Sequence, residues 1–168
     1  MAEWNKLRRI IATPTGECDG CQKCVDACSQ VKTQLSRDKG ESLTGLDTPA
    51  TIKISKLGDL NVPVICRNCS EAPCVTACMT GCITQDEEGM VSTDTNRCVG
   101  CWMCIMNCPF GAIERVESSH VAVMCDGCKD CDVAPCVKAC KPGVIIQTDI
   151  VEFTDGIRKS AATQFLQG

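Results

Sequence analysis

Seventeen of the eighteen cysteines in this 168-residue chain fall into four groups with a similar internal spacing. The groups are Cys18, Cys21, Cys24 and Cys28; Cys66, Cys69, Cys74 and Cys78; Cys98, Cys101, Cys104 and Cys108; and Cys125, Cys128, Cys131, Cys136 and Cys140. The first and third groups read C-x2-C-x2-C-x3-C, the spacing with which thiolates surround a [4Fe–4S] cluster. Four groups therefore predict four [4Fe–4S] clusters, and a chain that lines up four redox centres is most simply an electron carrier.

The supply of ordinary core residues is small. Hydrophobic residues make up 44% of the chain, but that count includes the cysteines, and aromatic residues make up only 3%, with no tyrosine. Small folds with a thin core usually recruit disulfides or metals. Because metal binding is then coupled to folding, we expect the metal-free chain to be largely unfolded.

A disulfide scaffold is the first alternative, because such a cysteine content is typical of small secreted proteins. Arg8 and Arg9 could begin a twin-arginine export signal, but the apolar stretch after them is too short. No apolar segment approaches the ~20 residues of a membrane span. We therefore expect a cytoplasmic protein with no membrane insertion, in which regular cysteine spacing indicates metal binding.

Zinc is the second alternative. Structural zinc sites use two separated C-x2-C pairs, often with histidine, whereas His120 is the only histidine here. A zinc site also has no use for three cysteines spaced by two residues in one loop. Two complete C-x2-C-x2-C-x3-C runs therefore favour iron–sulfur clusters.

The net charge of the chain indicates which partners it could attract. The formal net charge is −4 before any cofactor is added, and clusters bound by four thiolates would make it more negative. A chain of this charge is not expected to bind nucleic acid or anionic membranes, but it could be attracted to basic patches on redox partners.

The four groups form an internal repeat of the order A-B-A-B. Residues 68–78 and 130–140 share the motif A-P-C-V-x-A-C, and residues 18–28 share their cysteine spacing with residues 98–108. Such self-similarity indicates two copies of one unit.

Between the cysteine groups, the pattern predicts two small hairpins. One joins residues 51–54 to 62–65 through a turn at Gly58-Asp59, and the other joins residues 113–116 to 120–123, which puts His120 in a strand. Each C-x3-C spacing predicts one helical turn.

Two further segments have weaker patterns. Residues 36–50 are polar and contain glycine, and we interpret them as a surface excursion. Residues 154–168 predict a terminal helix whose stripe of Ile157, Ala161 and Phe165 more often packs on its own domain than serves as a docking element.

Several motifs closely resemble those of the four-cluster ferredoxin-like electron-transfer subunits of molybdenum, tungsten and nickel enzymes. They are Cys66-Arg67-Asn68-Cys69 with Pro73-Cys74, residues 97–104, residues 108–113 and residues 122–128. This family includes small subunits linked to carbon monoxide dehydrogenase, formate hydrogenlyase, hydrogen-dependent carbon dioxide reductase and aldehyde oxidoreductase. The resemblance covers roughly residues 8–150.

The resemblance implies an α+β fold of two interleaved ferredoxin-like modules with short hairpins and short helices, stabilised by its clusters. Residues 8–35 with 117–150 would hold clusters one and four, residues 51–116 would hold clusters two and three, and residues 151–168 would form a C-terminal tail or helix.

The resemblance also implies crossed ligand sets. Cluster one would take Cys18, Cys21, Cys24 and Cys140; cluster two Cys66, Cys69, Cys74 and Cys108; cluster three Cys98, Cys101, Cys104 and Cys78; and cluster four Cys28 with three early members of the fourth group.

Two cysteines are then left over. Local spacing favours Cys128, Cys131 and Cys136 in the fourth group, whereas the family pattern favours Cys125, Cys128 and Cys136, with Cys131 as a spare thiol. We favour the family pattern and keep Cys131 as the alternative to Cys125. Cys82 is either a small buried residue or a sulfhydryl that tunes cluster two.

For function, we expect an electron-transfer subunit with no catalytic residues of its own. Its partner would be the catalytic subunit of an aldehyde oxidoreductase, formate dehydrogenase, hydrogenase or carbon monoxide dehydrogenase, in anaerobic metabolism. The alternatives are a conductive scaffold subunit that self-associates into filaments through residues 154–168, or a free polyferredoxin that shuttles between enzymes.

Overall fold

The computed structural model describes residues 8–13, 18–39 and 49–167. In these ranges, short strands alternate with mostly short helices, which confirms the α+β class. The strands are β1 (Arg8–Ala12), β2 (Ile52–Leu57), β3 (Leu60–Ile65), β4 (Ile83–Gln85), β5 (Val91–Thr93), β6 (Ile113–Val116), β7 (Val121–Met124) and β8 (Ile145–Asp149). The helices are α1 (Lys23–Lys39), α2 (Pro73–Thr76), α3 (Met103–Asn107), α4 (Pro135–Ala139) and α5 (Ile150–Gln167), with a 3₁₀ turn at Thr95–Arg97.

Within the described ranges, the strands form antiparallel pairs and no larger sheet. β2 pairs with β3, β4 with β5, and β6 with β7, so three of the pairs join neighbours in sequence. The fourth pair joins β1 to β8, with Ile10 opposite Gln147. That long-range pairing brings the start of the described chain beside the segment that follows the last cysteine.

Two helices begin at equivalent prolines. α2 begins at Pro73 and α4 at Pro135. Proline is favoured in the first turn of a helix because its missing N–H would have no partner there. In both A-P-C repeats, the proline therefore starts a helix whose first turn holds the next cysteine, Cys74 or Cys136.

Both predicted hairpins are confirmed, with one correction. In the first, Ile52 is opposite Ile65 and Leu57 is opposite Leu60, so the chain reverses at Gly58-Asp59. In the second, Val116 is opposite Val121. The prediction that His120 lies in a strand is wrong, because this residue lies in the turn with a φ of 53°.

Two helices differ from the sequence prediction. α1 continues to Lys39, so residues 36–39 are helical and not part of a surface excursion, while residues 40–48 lie outside the described ranges. α5 begins at Ile150, where the side chain of Asp149 accepts hydrogen bonds from the N–H groups of Val151 and Glu152 at 2.8 and 3.3 Å.

The apolar stripe of α5 does not pack on the domain, contrary to the expectation. Ile157 is 54% exposed and Phe165 is 88% exposed. All side chains of residues 155–166 are exposed, including Ala161. α5 follows β8 without an intervening turn.

Cysteines lie at the centre of both main groups of buried side chains in the described ranges. The first group combines Ile52, Ile65 and Ile145 with Cys24, Cys28, Cys125, Cys128 and Cys136. The second combines Ile83, Val91, Ile113, Ala122 and Met124 with Cys74, Cys82 and Cys104. The apolar core is therefore thin, as the composition predicted.

Arg9 and Met90 connect three segments that lie next to the two buried groups. The guanidinium of Arg9 donates hydrogen bonds to the carbonyls of Gly89 and Glu88 at 3.2 and 3.3 Å and to Met90 Sδ at 3.0 Å. The methyl group of Met90 in turn lies over Gly127, where an added Cβ would approach Met90 Cε to 2.4 Å. β1, the turn before β5 and the loop after β7 are thus packed together.

The close approach of the Cys98–Cys104 loop to the turn before β7 gives a prediction. Gly100 has a φ of +65°, and an added Cβ would lie 2.4 Å from the carbonyl oxygen of His120. We expect Gly100→Ala to cost about 3 kcal/mol or more, because it adds this overlap to the strain of a left-handed residue. The measurement is the thermal unfolding midpoint of anaerobically purified protein.

Gly58→Ala is the matched control. Gly58 has a φ of +60°, but no atom lies within 4 Å of its added Cβ, so only the backbone strain of about 1–2 kcal/mol is expected. Equal losses of stability in the two variants would contradict the packing of Gly100 against His120.

Candidate metal centres

Three cysteines of the first group and one of the fourth line a common recess. Cys18 and Cys21 lie in the loop before α1, Cys24 lies in the first turn of α1, and Cys140 follows α4 directly. The walls are apolar and come from Ile54, Pro63, Pro142, Val144 and Ile145. Burial raises the pKa of the Cys24 thiol, and the nearby Cys140 and Cys18 raise it further. The recess thus brings the first cysteine group together with the last cysteine of the fourth group.

A second recess also combines three cysteines of one group with one cysteine of another. Cys66, Cys69 and Cys74 of the second group line it together with Cys108, the last cysteine of the third group. Burial raises the pKa of the Cys66 thiol, and Cys74 and Cys108 add to the effect. At its edge, the guanidinium of Arg67 lies 4.3 Å from the centre of the Phe110 ring.

Cys78, the last cysteine of the second group, faces the third group. Its sulfur lies 3.4 Å from the sulfur of Cys82. Burial raises the pKa of the Cys82 thiol, and the nearby Cys98 raises it further. Burial raises the pKa of Cys104 to about 11, with nearby Cys98 and Cys101 adding to it. The hypothesis that Cys82 tunes cluster two gains no support from this contact, because the resemblance assigns Cys78 to cluster three.

The pKa values of the Cys78 and Cys82 thiols are shifted in opposite directions. Burial alone would raise the pKa of Cys78, but hydrogen bonds from the Ile83 N–H, Thr80, Cys82 and the Cys82 N–H lower it to about 7. Burial raises the pKa of Cys82 to about 12. In this pair, Cys78 is therefore the thiol that ionises more readily, and Cys82 is the one that holds its proton more strongly.

Cys28 is packed with the fourth group. Cys28, Cys125, Cys128 and Cys136 belong to one buried group, and the partly exposed Cys131 packs against it. Burial raises the pKa of Cys136 to about 12, with nearby Cys28 and Cys128 contributing. Thr51 donates its N–H to the Cys28 sulfur at 3.4 Å and holds its hydroxyl 3.5 Å from the same atom.

The first two cysteines of each group enclose a residue in the left-handed backbone region. These residues occupy the same position before the second cysteine, and their φ values are +70°, +46°, +65° and +75° for Gly20, Asn68, Gly100 and Gly127. Glycine and asparagine tolerate this conformation best. In the fourth group, the pair with this geometry is Cys125 and Cys128.

The loop after β7 shares a second structural feature with the loop before α1. The Asp19 carboxylate accepts a hydrogen bond from the N–H of Cys21 at 3.0 Å, and the Asp126 carboxylate accepts one from the N–H of Cys128 at 3.1 Å. Cys125-Asp126-Gly127-Cys128 thus has the local structure of Cys18-Asp19-Gly20-Cys21.

Lys32 places a mostly buried positive charge beside the fourth group. Its ammonium lies 2.6 Å from the Asp126 carboxylate, and the two side chains are 13% and 28% exposed. Burial alone would raise the pKa of Asp126, but Lys32 lowers it below its usual value. Lys32 also favours the ionised form of Cys125 and Cys128.

Sequence reasoning missed Lys32 and Thr51. Lys32 follows Cys28 by one helical turn, so the i, i+4 spacing could have placed it near the same site had α1 been predicted beyond residue 28. Thr51 is far from Cys28 in sequence, and its contact depends on how β2 packs against α1. No local pattern could have indicated it.

The residues that line these recesses fit iron–sulfur clusters. Soft thiolate ligands suit such clusters, and buried thiols with raised pKa values favour a metal that stabilises the thiolate. In the described ranges, no three cysteine, histidine, aspartate or glutamate side chains converge on the geometry of a single ion. In a cubane, each thiolate binds a different iron, so its ligands are spread more widely than those of one ion.

Comparison with known families agrees with this chemistry. Residues 59–130 match the family model described as a 4Fe-4S dicluster domain. This match covers the second and third cysteine groups and the start of the fourth.

Three relatives extend the similarity. An uncharacterized ferredoxin of Methanocaldococcus jannaschii is 30% identical over 146 residues, which are 87% of this chain and 75% of the relative. The electron transport protein HydN of Escherichia coli K12 is 31% identical over 159 residues, 85% of this chain and 89% of the relative. Hydrogenase-4 component A of the same organism is 36% identical over 115 residues, 68% of this chain.

The relatives differ in length. The chain spans 50% of hydrogenase-4 component A and as little as 20% of a longer relative. In the part of the chain that the structure describes, no helix is both long and apolar enough to cross a bilayer.

Proposed function

We propose that this chain, which belongs to the ferredoxin-like family of [4Fe–4S] electron-transfer proteins, holds four clusters and relays electrons between a catalytic oxidoreductase subunit and a second redox partner. One observation carries the proposal: Cys66, Cys69 and Cys74 line a recess with Cys108, which belongs to another cysteine group. Four thiols around one apolar recess are the ligand set that a [4Fe–4S] cluster needs.

Crossed ligation extends to the other three sites. The recess of Cys18, Cys21, Cys24 and Cys140 supports cluster one. For cluster three, the proximity of both Cys78 and Cys98 to Cys82 supports a set of Cys98, Cys101, Cys104 and Cys78. For cluster four, the burial of Cys28 with the fourth group supports a set of Cys28, Cys125, Cys128 and Cys136.

The repeated loop geometry supports Cys125 over Cys131. A cluster loop in this chain begins with a cysteine, a second residue and then a glycine or asparagine at positive φ, as at Gly20, Asn68 and Gly100. Gly127 puts Cys125 at the start of such a loop. If Cys128 began the loop instead, Asp130 would occupy this position, and it has no positive φ.

The packing around the proposed sites supports two interleaved modules, and it favours boundaries other than those that the resemblance implies. Residues 51–65 belong with the outer module, because Ile52 and Ile65 pack with the first and fourth cysteine groups. Residues 117–124 belong with the inner module, because Ala122 and Met124 pack with the second and third groups. The outer module then comprises the described residues of 8–65 and 125–149, and the inner module comprises residues 66–124.

In this function, the chain binds clusters and controls their surroundings. When bound, each cluster would accept and release one electron. Apolar walls such as Ile54 and Val144 exclude water, and Thr51 and Lys32 direct a hydrogen-bond donor and a positive charge at the fourth site. Burial, charge and hydrogen bonds to sulfur set the reduction potential.

The substrate chemistry would lie on another polypeptide. The names of hydrogenase-4 component A and electron transport protein HydN support a place in a redox enzyme complex. The catalytic partner would be a hydrogenase or an oxidoreductase that contains molybdenum, tungsten or nickel, of the aldehyde oxidoreductase, formate dehydrogenase or carbon monoxide dehydrogenase type.

Self-association is a second candidate, favoured by α5. Ile157, Phe165 and Leu166 on this helix are 54%, 88% and 88% exposed. Copies that pair through these side chains would place clusters of successive chains in series, as a conductive scaffold requires.

Native purification tests the function. Anaerobic extraction from the source cells should yield the chain in complex with a larger oxidoreductase subunit, and that enzyme's substrate should bleach the absorption near 400 nm, with about sixteen irons per chain. Elution as a monomer would support a free carrier, and elution as a homopolymer would support the scaffold. Colourless protein with bound zinc would contradict all three.

Crossed ligation predicts the outcome of two double variants. Cys78→Ala with Cys98→Ala removes two ligands of one proposed cluster, so about twelve irons should remain. Cys74→Ala with Cys78→Ala removes one ligand from each of two clusters, so about eight should remain. Iron and sulfide analysis measures both. If each cysteine group closes its own cluster, the two values will be exchanged.

The fourth site predicts a difference between two single variants. Cys125→Ala should lose a cluster, because it removes a ligand, whereas Cys131→Ala should keep about sixteen irons. Electron paramagnetic resonance of the reduced proteins should show one altered cluster in the first variant alone. Intact clusters in Cys125→Ala and a lost cluster in Cys131→Ala would reverse the assignment.

A further inference from the structure

The same type of turn occurs three times in the described residues. Each copy directly follows the last cysteine of a cysteine group. The turns lie at residues 78–83, 108–113 and 140–145, and each has the pattern Cys-x-x-Gly-x-Ile. Gly81, Gly111 and Gly143 have φ values of +60°, +59° and +70°, and each donates its N–H to the carbonyl of the cysteine at 3.2 Å.

The three turns differ in the side chain before the isoleucine. This residue is Cys82, Ala112 or Val144, and it is 3%, 4% or 2% exposed. Ala112 and Val144 show that an apolar side chain is sufficient to fill the position. A sulfhydryl at Cys82 is therefore not needed for packing alone.

Only the first of these three side chains can donate a hydrogen bond. The N–H of Ala112 donates to the Cys108 sulfur at 3.5 Å, and the N–H of Cys82 bonds to the Cys78 sulfur in the same manner. Cys82 adds its own sulfhydryl, with the two sulfur atoms 3.4 Å apart.

We propose that Cys82 is a positioning residue whose S–H donates a hydrogen bond to the Cys78 sulfur and raises the reduction potential of the cluster that Cys78 binds. This inference rests on the proposed function, in which Cys78 is a ligand of cluster three and Cys82 is not a ligand. A donor directed at a ligand sulfur offsets the negative charge that a cluster gains on reduction, so the reduced form is stabilised.

The equivalent sites supply an internal comparison. Cluster two, which takes Cys108, has the backbone donor of Ala112 without a side-chain donor at that position. The turn after Cys78 should therefore raise the reduction potential of cluster three more than the turn after Cys108 raises that of cluster two. Thr80, whose hydroxyl lies 3.7 Å from the Cys78 sulfur, is a second side-chain donor in this turn, so Cys82 supplies one part of the difference between the two clusters.

The test is a redox titration of the cluster-loaded chain, followed by electron paramagnetic resonance. Cys82→Ala should lower the reduction potential of one cluster signal and leave the reduction potentials of the other signals unchanged. The ratio of reduced to oxidised cluster should fall by up to about tenfold at fixed potential, which is about 59 mV for a one-electron couple. Cys82→Ser keeps a donor and should titrate close to the unsubstituted chain.

Ala112→Cys is the reciprocal variant. It introduces the sulfhydryl into the equivalent turn and should raise the potential of a different component, the one assigned to cluster two. A rise there together with a fall in Cys82→Ala would support hydrogen bonding from this position over a local change of packing.

Two results would overturn the proposal. One is a titration of Cys82→Ala that coincides with that of the unsubstituted chain. The other is the loss of about four irons in both Cys82 variants, because Cys82 would then itself be a ligand. An unsubstituted chain with far fewer than about sixteen irons would overturn the proposed function instead, before any variant is compared.

Discussion

Four cysteine sulfurs can surround one centre only where the backbone turns sharply, because a cysteine side chain reaches a short distance beyond its Cα. In this chain, the turns depend on residues at positive φ, such as Gly20 and Gly100, and on helices that begin at Pro73 and Pro135. Surrounding elements are fitted to these turns. The carbonyl of His120 lies against Gly100, and the methyl group of Met90 lies against Gly127. With so thin an apolar core, iron–thiolate bonds would contribute a large part of the stability of the proposed fold.

Local patterns predicted the parts of the fold that local chemistry determines. The hairpins around Gly58 and before Val121, and the helical turns at the C-x3-C spacings, follow from sequence because each joins neighbouring residues. The pairing of β1 with β8 does not, since its strands lie at opposite ends of the described chain. The length of α1 was also missed, because the polar residues after Cys28 do not form an apolar stripe. The stripe on α5 was present, but periodicity shows only that a face is apolar and not what covers it.

The candidate sites were foreseen in part for the same reason. Cysteine spacing alone grouped the thiols, and resemblance to a family suggested which groups exchange their last member. The surroundings of the sulfurs depend on tertiary contacts, as with Thr51 beside Cys28 and Lys32 beside Asp126. The sequence predicts Cys82 as either a small buried residue or a thiol that tunes cluster two, whereas in the structure its thiol contacts Cys78, which the resemblance assigns to cluster three. Similar loops thus receive different donors and charges, which gives the chain a means to set different potentials at similar clusters.

In the proposed fold, each cluster takes its fourth ligand from a distant cysteine group. Anomalous diffraction at the iron edge, from crystals grown anaerobically, locates iron without reference to any assumed ligand. Crossed ligation predicts four separate iron peaks, one of them among Cys66, Cys69, Cys74 and Cys108. Fewer peaks, or a peak enclosed by Cys66, Cys69, Cys74 and Cys78, would contradict it.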